Sequence, residues 1–111
     1  MTKFLVLYDS SVPSAEMMAN ATPEEMKAGM DAWMSWSQRS GDSIVDFGLP
    51  LGSSMRIEPG SASPGSSQAT GFSIVQADSL DSAAKTLEDH PHLQTPGGTI
   101  DVLECLPMPG M

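Results

Sequence analysis

Residues 71 to 88 read GFSIVQADSLDSAAKTLE, and in that stretch the hydrophobic period changes from two to nearly four. Phe72, Ile74 and Gln76 alternate with the residues between them, the pattern of a strand with two different faces. Asp78-Ser79 breaks the run, and Ser79 is placed to cap a helix over Leu80 to Glu88. Its core-facing residues are expected to be Leu80, Ala83, Ala84 and Leu87. Pro91 ends the helix, and Thr99 to Leu106 alternates again as a final strand, with Cys105 expected at a buried position.

The N-terminal half has the same plan. Phe4-Leu5-Val6-Leu7-Tyr8 is a continuous apolar run ended by Asp9-Ser10-Ser11-Val12-Pro13, which predicts a central strand buried on both faces. Ala15 to Asn20 suits a short helical turn. Thr22-Pro23-Glu24-Glu25 combines a capping threonine, a proline suited to the first helical position and an acid that completes a capping box. Met26, Met30, Trp33 and Ser37 follow on one face, with Arg39 in the last turn and Gly41 as the stop. The methionine stripe reads as core. Ser43 to Phe47 and Ser54 to Glu58 are short strand candidates, and Pro59 to Thr70, nearly all Pro, Gly, Ser or Ala, reads as a mobile turn or loop.

The order is strand, helix, two or three strands, helix, strand. In one domain spanning residues 1–111, this predicts an α+β fold, a ferredoxin-like split βαβ sandwich with both helices on one face of an antiparallel sheet. The other sheet face is left uncovered, so a homodimer joined through that face is expected.

Composition narrows the function classes. The chain has 111 residues and a formal net charge of −9, its 14 acids scattered rather than blocked. Such a surface repels phosphate backbones and anionic membranes, so neither nucleic acid nor a membrane is an expected partner. The apolar run of residues 4–8 is too short for a signal peptide or a membrane span, which predicts a cytoplasmic protein. Cys105 is the single cysteine and has no internal partner.

Within Asp89-His90-Pro91-His92 lie the only two histidines. An imidazole at a helix end beside a carboxylate suits general acid or base work, whereas the structural alternative is that His90 closes the helix and His92 packs in the turn. Two histidines and Asp89 supply at most three ligands from one loop, so neither a metal nor another cofactor is expected. Trp33 and Trp36, three apart, place an indole where it can line a pocket between helix and sheet. Asp46 and Arg56, at the ends of neighbouring strands, either face each other in a pocket or form a surface pair. Tyr8 and Asp9 end the first strand and are candidates by the same logic. No Walker loop, dinucleotide fingerprint or nucleophile elbow is present.

Several segments together resemble the YCII-related proteins, also called the DGPF family. They are Lys3 to Tyr8, Met30-Asp31-Ala32-Trp33 with Trp36, Asp46 to Leu51, Gly71 to Ala83 and Gly97 to Val102. The resemblance implies the dimeric α/β-barrel form of the ferredoxin-like fold. For activity it implies, for a few members, lyase-type chemistry on aromatic breakdown products with a His and Asp pair as acid and base. The chain departs from the family pattern in two places: no histidine precedes residue 90, and a Ser/Gly-rich loop replaces the Asp-Gly-Pro-Phe motif. The expected function is therefore a small-molecule-binding dimer. One form is a lyase or isomerase using His90 or His92 with Asp46 as the catalytic set and Tyr8, Trp33, Trp36 and Arg56 around the ligand. The alternatives are a non-catalytic binding or regulatory dimer and a cofactor-independent oxygenase with a deep apolar pocket.

Overall fold

A computed structural model describes residues 1–95 and 97–110. Six strands and three α-helices follow in the order β1 (Thr2–Asp9), α1 (Ser14–Asn20), α2 (Pro23–Ser40), β2 (Ile44–Asp46), β3 (Met55–Glu58), β4 (Ser61–Pro64), β5 (Ala69–Ala77), α3 (Leu80–Leu87) and β6 (Thr99–Glu104). The main sheet has the order β2-β5-β1-β6 and is antiparallel throughout. That order is compatible with the split βαβ arrangement. β3 and β4 form a separate two-stranded ribbon.

Strand alternation decides the layers. Phe4, Val6 and Tyr8 of β1 and Ser73, Val75 and Ala77 of β5 point to the helical side and are buried. Trp36 of α2 and Ala83 and Leu87 of α3 close the same core. Both long helices therefore cover one face. Leu5 lies directly opposite both Ile74 and Leu103, and Leu7 opposite Phe72, on the other face. There β1 is half-buried rather than buried, so it is not enclosed on both faces as its unbroken apolar run suggests.

The caps act as their sequences indicate. Thr22 Oγ1 accepts the Glu25 N–H at 3.1 Å, and Ser79 Oγ accepts the Ser82 N–H at 3.1 Å. Gly41, at φ +52°, ends α2 with its N–H on the Ser37 carbonyl.

Four expectations are corrected. Met26 and Met30 are exposed, because the first half of α2 overhangs a cavity, and Met34 is exposed as well; the sheet receives Trp36 instead. Leu80 and Ala84 of α3 face solvent, and only Ala83 and Leu87 reach the core. Cys105 is exposed just past β6, although its N–H continues the ladder to the Lys3 carbonyl at 2.9 Å. Residues 59–70 are not a loop throughout: Pro59-Gly60, with Gly60 at φ +80°, turns β3 into β4. Proline at the second and glycine at the third position suit a type II turn, and that signal outweighs the loop-like composition around it.

The connection from β2 runs on antiparallel alongside β5 through Gly48, with Pro50 bridged to Gly71. Asp46 Oδ1 accepts the Gly48 N–H at 2.9 Å, Leu51 N–H donates to the Thr70 carbonyl at 2.9 Å, and Phe72 N–H donates to the Leu49 carbonyl at 3.3 Å. Gly48 sits at φ +83°, with its α-carbon against the Phe72 carbonyl. Only glycine fits that close approach.

Candidate functional site

Tyr8 joins the core to the site. Its hydroxyl donates to Ser73 Oγ at 2.8 Å, and Ser73 Oγ donates on to the Phe47 carbonyl at 2.6 Å. Burial pushes the phenol up to about 12, against the opposing pull of the Ser73 hydrogen bond, so Tyr8 stays neutral across the physiological range.

His90 packs behind Tyr8. Its ring stacks on the Tyr8 ring at 4.7 Å between centroids and meets Trp33 and Trp36 nearly edge-on at 4.3 and 4.4 Å. Its Nδ1 accepts the His92 N–H at 2.9 Å, capping the single 3-10 turn Pro91–Gln94. The proton of the neutral ring is therefore on Nε2, which has no hydrogen-bond partner among the described residues and is enclosed by the three aromatic rings. Burial foremost, then the nearby His92, drives the His90 imidazole down to about 3 against the opposing pull of Asp89. A ring so enclosed and so reluctant to charge is a structural element of the core.

His92, two residues on, has a different position. It lines a cavity of about 370 Å³, while Nε2 meets the Asp9 carbonyl at 2.8 Å. A carbonyl only accepts, so Nε2 carries a proton, and in the neutral tautomer Nδ1 keeps its lone pair. Thr95 Oγ1 donates to the His92 carbonyl at 2.7 Å and fixes the turn.

Met17 and Met18 of α1, Met26, Met30 and Trp33 of α2, and Phe47 form much of the cavity lining. Among the described residues no Asp, Glu, Lys or Arg lines it. The hydroxyls of Tyr8, Ser14, Thr70 and Thr95 also line it, yet each donates to an acceptor within the protein. The described lining is thus mostly apolar, with its hydroxyl protons committed and one imidazole, that of His92, among the lining residues. Such a site suits a neutral, mostly apolar molecule that donates one hydrogen bond.

Tyr8, Trp33 and His92 come together at this cavity, with His90 behind them. The remaining candidates lie elsewhere. Trp36 is buried with Nε1 donating to the Thr86 carbonyl at 2.9 Å. Asp46 is exposed and spends a carboxylate oxygen on Gly48, with no hydrogen bond to either imidazole among the described residues. Arg56 pairs with Glu58 at 2.7 Å on the surface of the β3–β4 ribbon rather than with Asp46. No protein-family model and no curated protein matches this chain. The methionines of α1 were not foreseen as lining residues; the signal for them is the nine methionines in 111 residues, more than a core of this size uses. Among the described residues no group of three or more His, Cys, Asp or Glu is placed to hold a metal ion, and no helix is long and apolar enough to cross a membrane.

At the far end of β1, Asp9 shares the open sheet face with Asp101, which lies diagonally across on β6. Partial burial, a hydrogen bond to Asp101 and repulsion from it push the Asp9 carboxyl from its usual 3.8 up to about 6. The protonated form is favoured by folding, so this contribution is complete below about pH 4 and is lost as pH rises through about 6. Asp101→Asn is expected to reduce that slope, leaving the part due to burial, and to stabilise the protein above pH 6 by less than ~1 kcal/mol. Urea titrations of both proteins at pH 4.5 and 7.5 test this; an equal slope in both would show that the carboxyls do not interact.

Proposed function

We propose that this protein is a cytoplasmic homodimer of the YCII-related type, with a ferredoxin-like, dimeric α/β-barrel architecture, that binds a neutral, mostly apolar small molecule. The strand order and the uncovered apolar sheet face support the architecture. A free, exposed Cys105 suits a reducing compartment. The observation that carries the binding reading is the methionine-lined cavity with no Asp, Glu, Lys or Arg among its described lining residues and the His92 imidazole beside them. Methionine side chains adapt to ligand shape, as suits a site that accepts a range of related molecules. A hydroxylated aromatic compound has the required size, apolarity and single donor.

1-Naphthol is a suitable probe. It is expected to quench Trp33 fluorescence saturably, and naphthalene, lacking the hydroxyl, to bind about tenfold more weakly, the worth of one hydrogen bond. His92→Leu is expected to weaken 1-naphthol by a similar factor and leave naphthalene nearly unchanged. Because His92 also holds the Asp9 carbonyl, Met30→Lys at the exposed rim provides a second variant that should weaken both ligands without disturbing the fold. Absence of saturable quenching by either compound in the wild-type protein overturns the reading.

A second reading is a lyase or isomerase in which His92 Nδ1 takes a proton from the bound molecule. The arrangement that favours it is the tether of Nε2–H to a backbone carbonyl, which presents a basic nitrogen in a fixed tautomer. It differs from the expected His and carboxylate pair, since Asp46 is occupied elsewhere. Incorporation of deuterium from D₂O into a bound substrate, lost in His92→Leu, would favour this reading over simple binding.

A further inference from the structure

The β3–β4 ribbon is the distal part of one long hairpin. Ile44 pairs with Val75, Leu51 N–H reaches the Thr70 carbonyl, Gly65 N–H reaches the Ser54 carbonyl, and Glu58 faces Ser61 at the tip. The hairpin thus leaves the main sheet beyond β5 and continues as an arm. All eight residues of β3 and β4 are exposed. The chain is correspondingly extended: its radius of gyration is 15.5 Å and its extents are 48 × 45 × 19 Å. A compact chain of this length has a radius of about 13 Å.

Alternation gives the arm two faces. Arg56 and Glu58 form an ion pair on one. Met55 and Ile57, at 62% and 79% exposure, lie on the other beside Pro64 and Ala62. A two-stranded ribbon without a core is marginal by itself, so an apolar face on such an arm calls for a second surface.

We propose that the β3–β4 hairpin is a clasp whose Met55 and Ile57 face packs against a second copy of this chain. The proposal rests on the homodimer reading and adds a second contact to it. Four strands about 4.8 Å apart and roughly six residues long give the open sheet face only about 400 Å². A standard interface needs about 800 Å² per partner, and the arm supplies further apolar area. Charge points to the same occupant. Residues 48–71 hold one Arg and one Glu, so the arm and its base are neutral while the rest of the chain carries the whole net charge of −9. A neutral arm can lie on a strongly acidic copy without the repulsion that other surfaces of the chain meet.

Sedimentation velocity of the wild-type protein, Ile57→Lys on the arm and Leu103→Lys on the open sheet face tests this, with hydrogen exchange of the arm amides as an independent readout on the unmodified chain. The expected result is a wild-type dimer, a dissociation constant raised at least tenfold by each substitution, and exchange at residues 55–58 and 61–64 that slows as protein concentration rises. Ile57→Lys with an unchanged dissociation constant, or arm protection independent of concentration, overturns the clasp and leaves the sheet-face dimer standing if Leu103→Lys still dissociates it. A wild-type protein that stays monomeric at about 100 μM overturns both.

Discussion

Gly48→Ala is expected to unfold the protein or to lower its melting temperature by more than ~10 °C. Two costs act together. At φ +83° an alanine pays the left-handed backbone penalty of about 1–2 kcal/mol, and its Cβ would run into the Phe72 carbonyl. The backbone cannot step aside, because Leu49 and Leu51 are hydrogen-bonded to β5 on the near side and the Gly48 N–H is held by Asp46. A total above ~3 kcal/mol is a large share of the 5–15 kcal/mol that holds a small domain together. Gly52→Ala is the matched control, since nothing lies within 4 Å of a Cβ there. Thermal melts of the two variants decide the point: Gly48→Ala melting within ~2 °C of wild type would mean that Gly48 does not lie against the Phe72 carbonyl as described.

The second large effect is on acid stability. The His90 imidazole is lowered from its usual 6.5 to about 3, so the folded state favours the neutral ring. Its contribution is present above about pH 6.5 and is lost as pH falls toward 3. At 1.36 kcal/mol per unit the loss approaches ~5 kcal/mol at full protonation. The Asp9 and Asp101 pair works in the opposite direction over part of the same range, but it is only partly buried and solvent weakens it. The net expectation is falling stability below pH 6.5, measured as a decreasing urea midpoint. His90→Asn keeps an acceptor for the His92 N–H and removes the titration. It should cost about 1–3 kcal/mol at pH 7 from lost packing and show a much flatter midpoint between pH 6.5 and 4. An unchanged slope in that variant would assign the acid sensitivity to other groups.

These two residues also illustrate what a sequence conveys. The strand and helix segments were legible because periods of two and 3.6 are local properties, and so were the caps at Thr22 and Ser79. The fate of a helix face was not. Spacing places Met26, Met30 and Trp33 on one side of α2, but whether that side meets a sheet or a cavity depends on how far the helix overhangs β1. His90 and His92 are two residues apart in one short turn, and their separate roles are set by Tyr8, Asp9, Trp33 and Trp36, all at least fifty residues earlier in the chain. The Gly48 contact left a signal in Gly48-Leu49-Pro50-Leu51-Gly52, which marked a break without revealing that the chain there lies against the Phe72 carbonyl. Arg56 does form a surface pair, but its partner is Glu58 on the same strand of the ribbon, and the spacing of Asp46 and Arg56 did not reveal that partner.

The cavity has two unlike sides. Tyr8 and His92 are buried and hydrogen-bonded into the framework, whereas Met18, Met26 and Met30 are about half exposed and contribute little to folding. Substitutions on the methionine side can therefore accumulate at small cost in stability while changing what the cavity admits. Ligand preference in this protein can drift by changes at those few thioethers, with the polar anchor and the core behind it held constant.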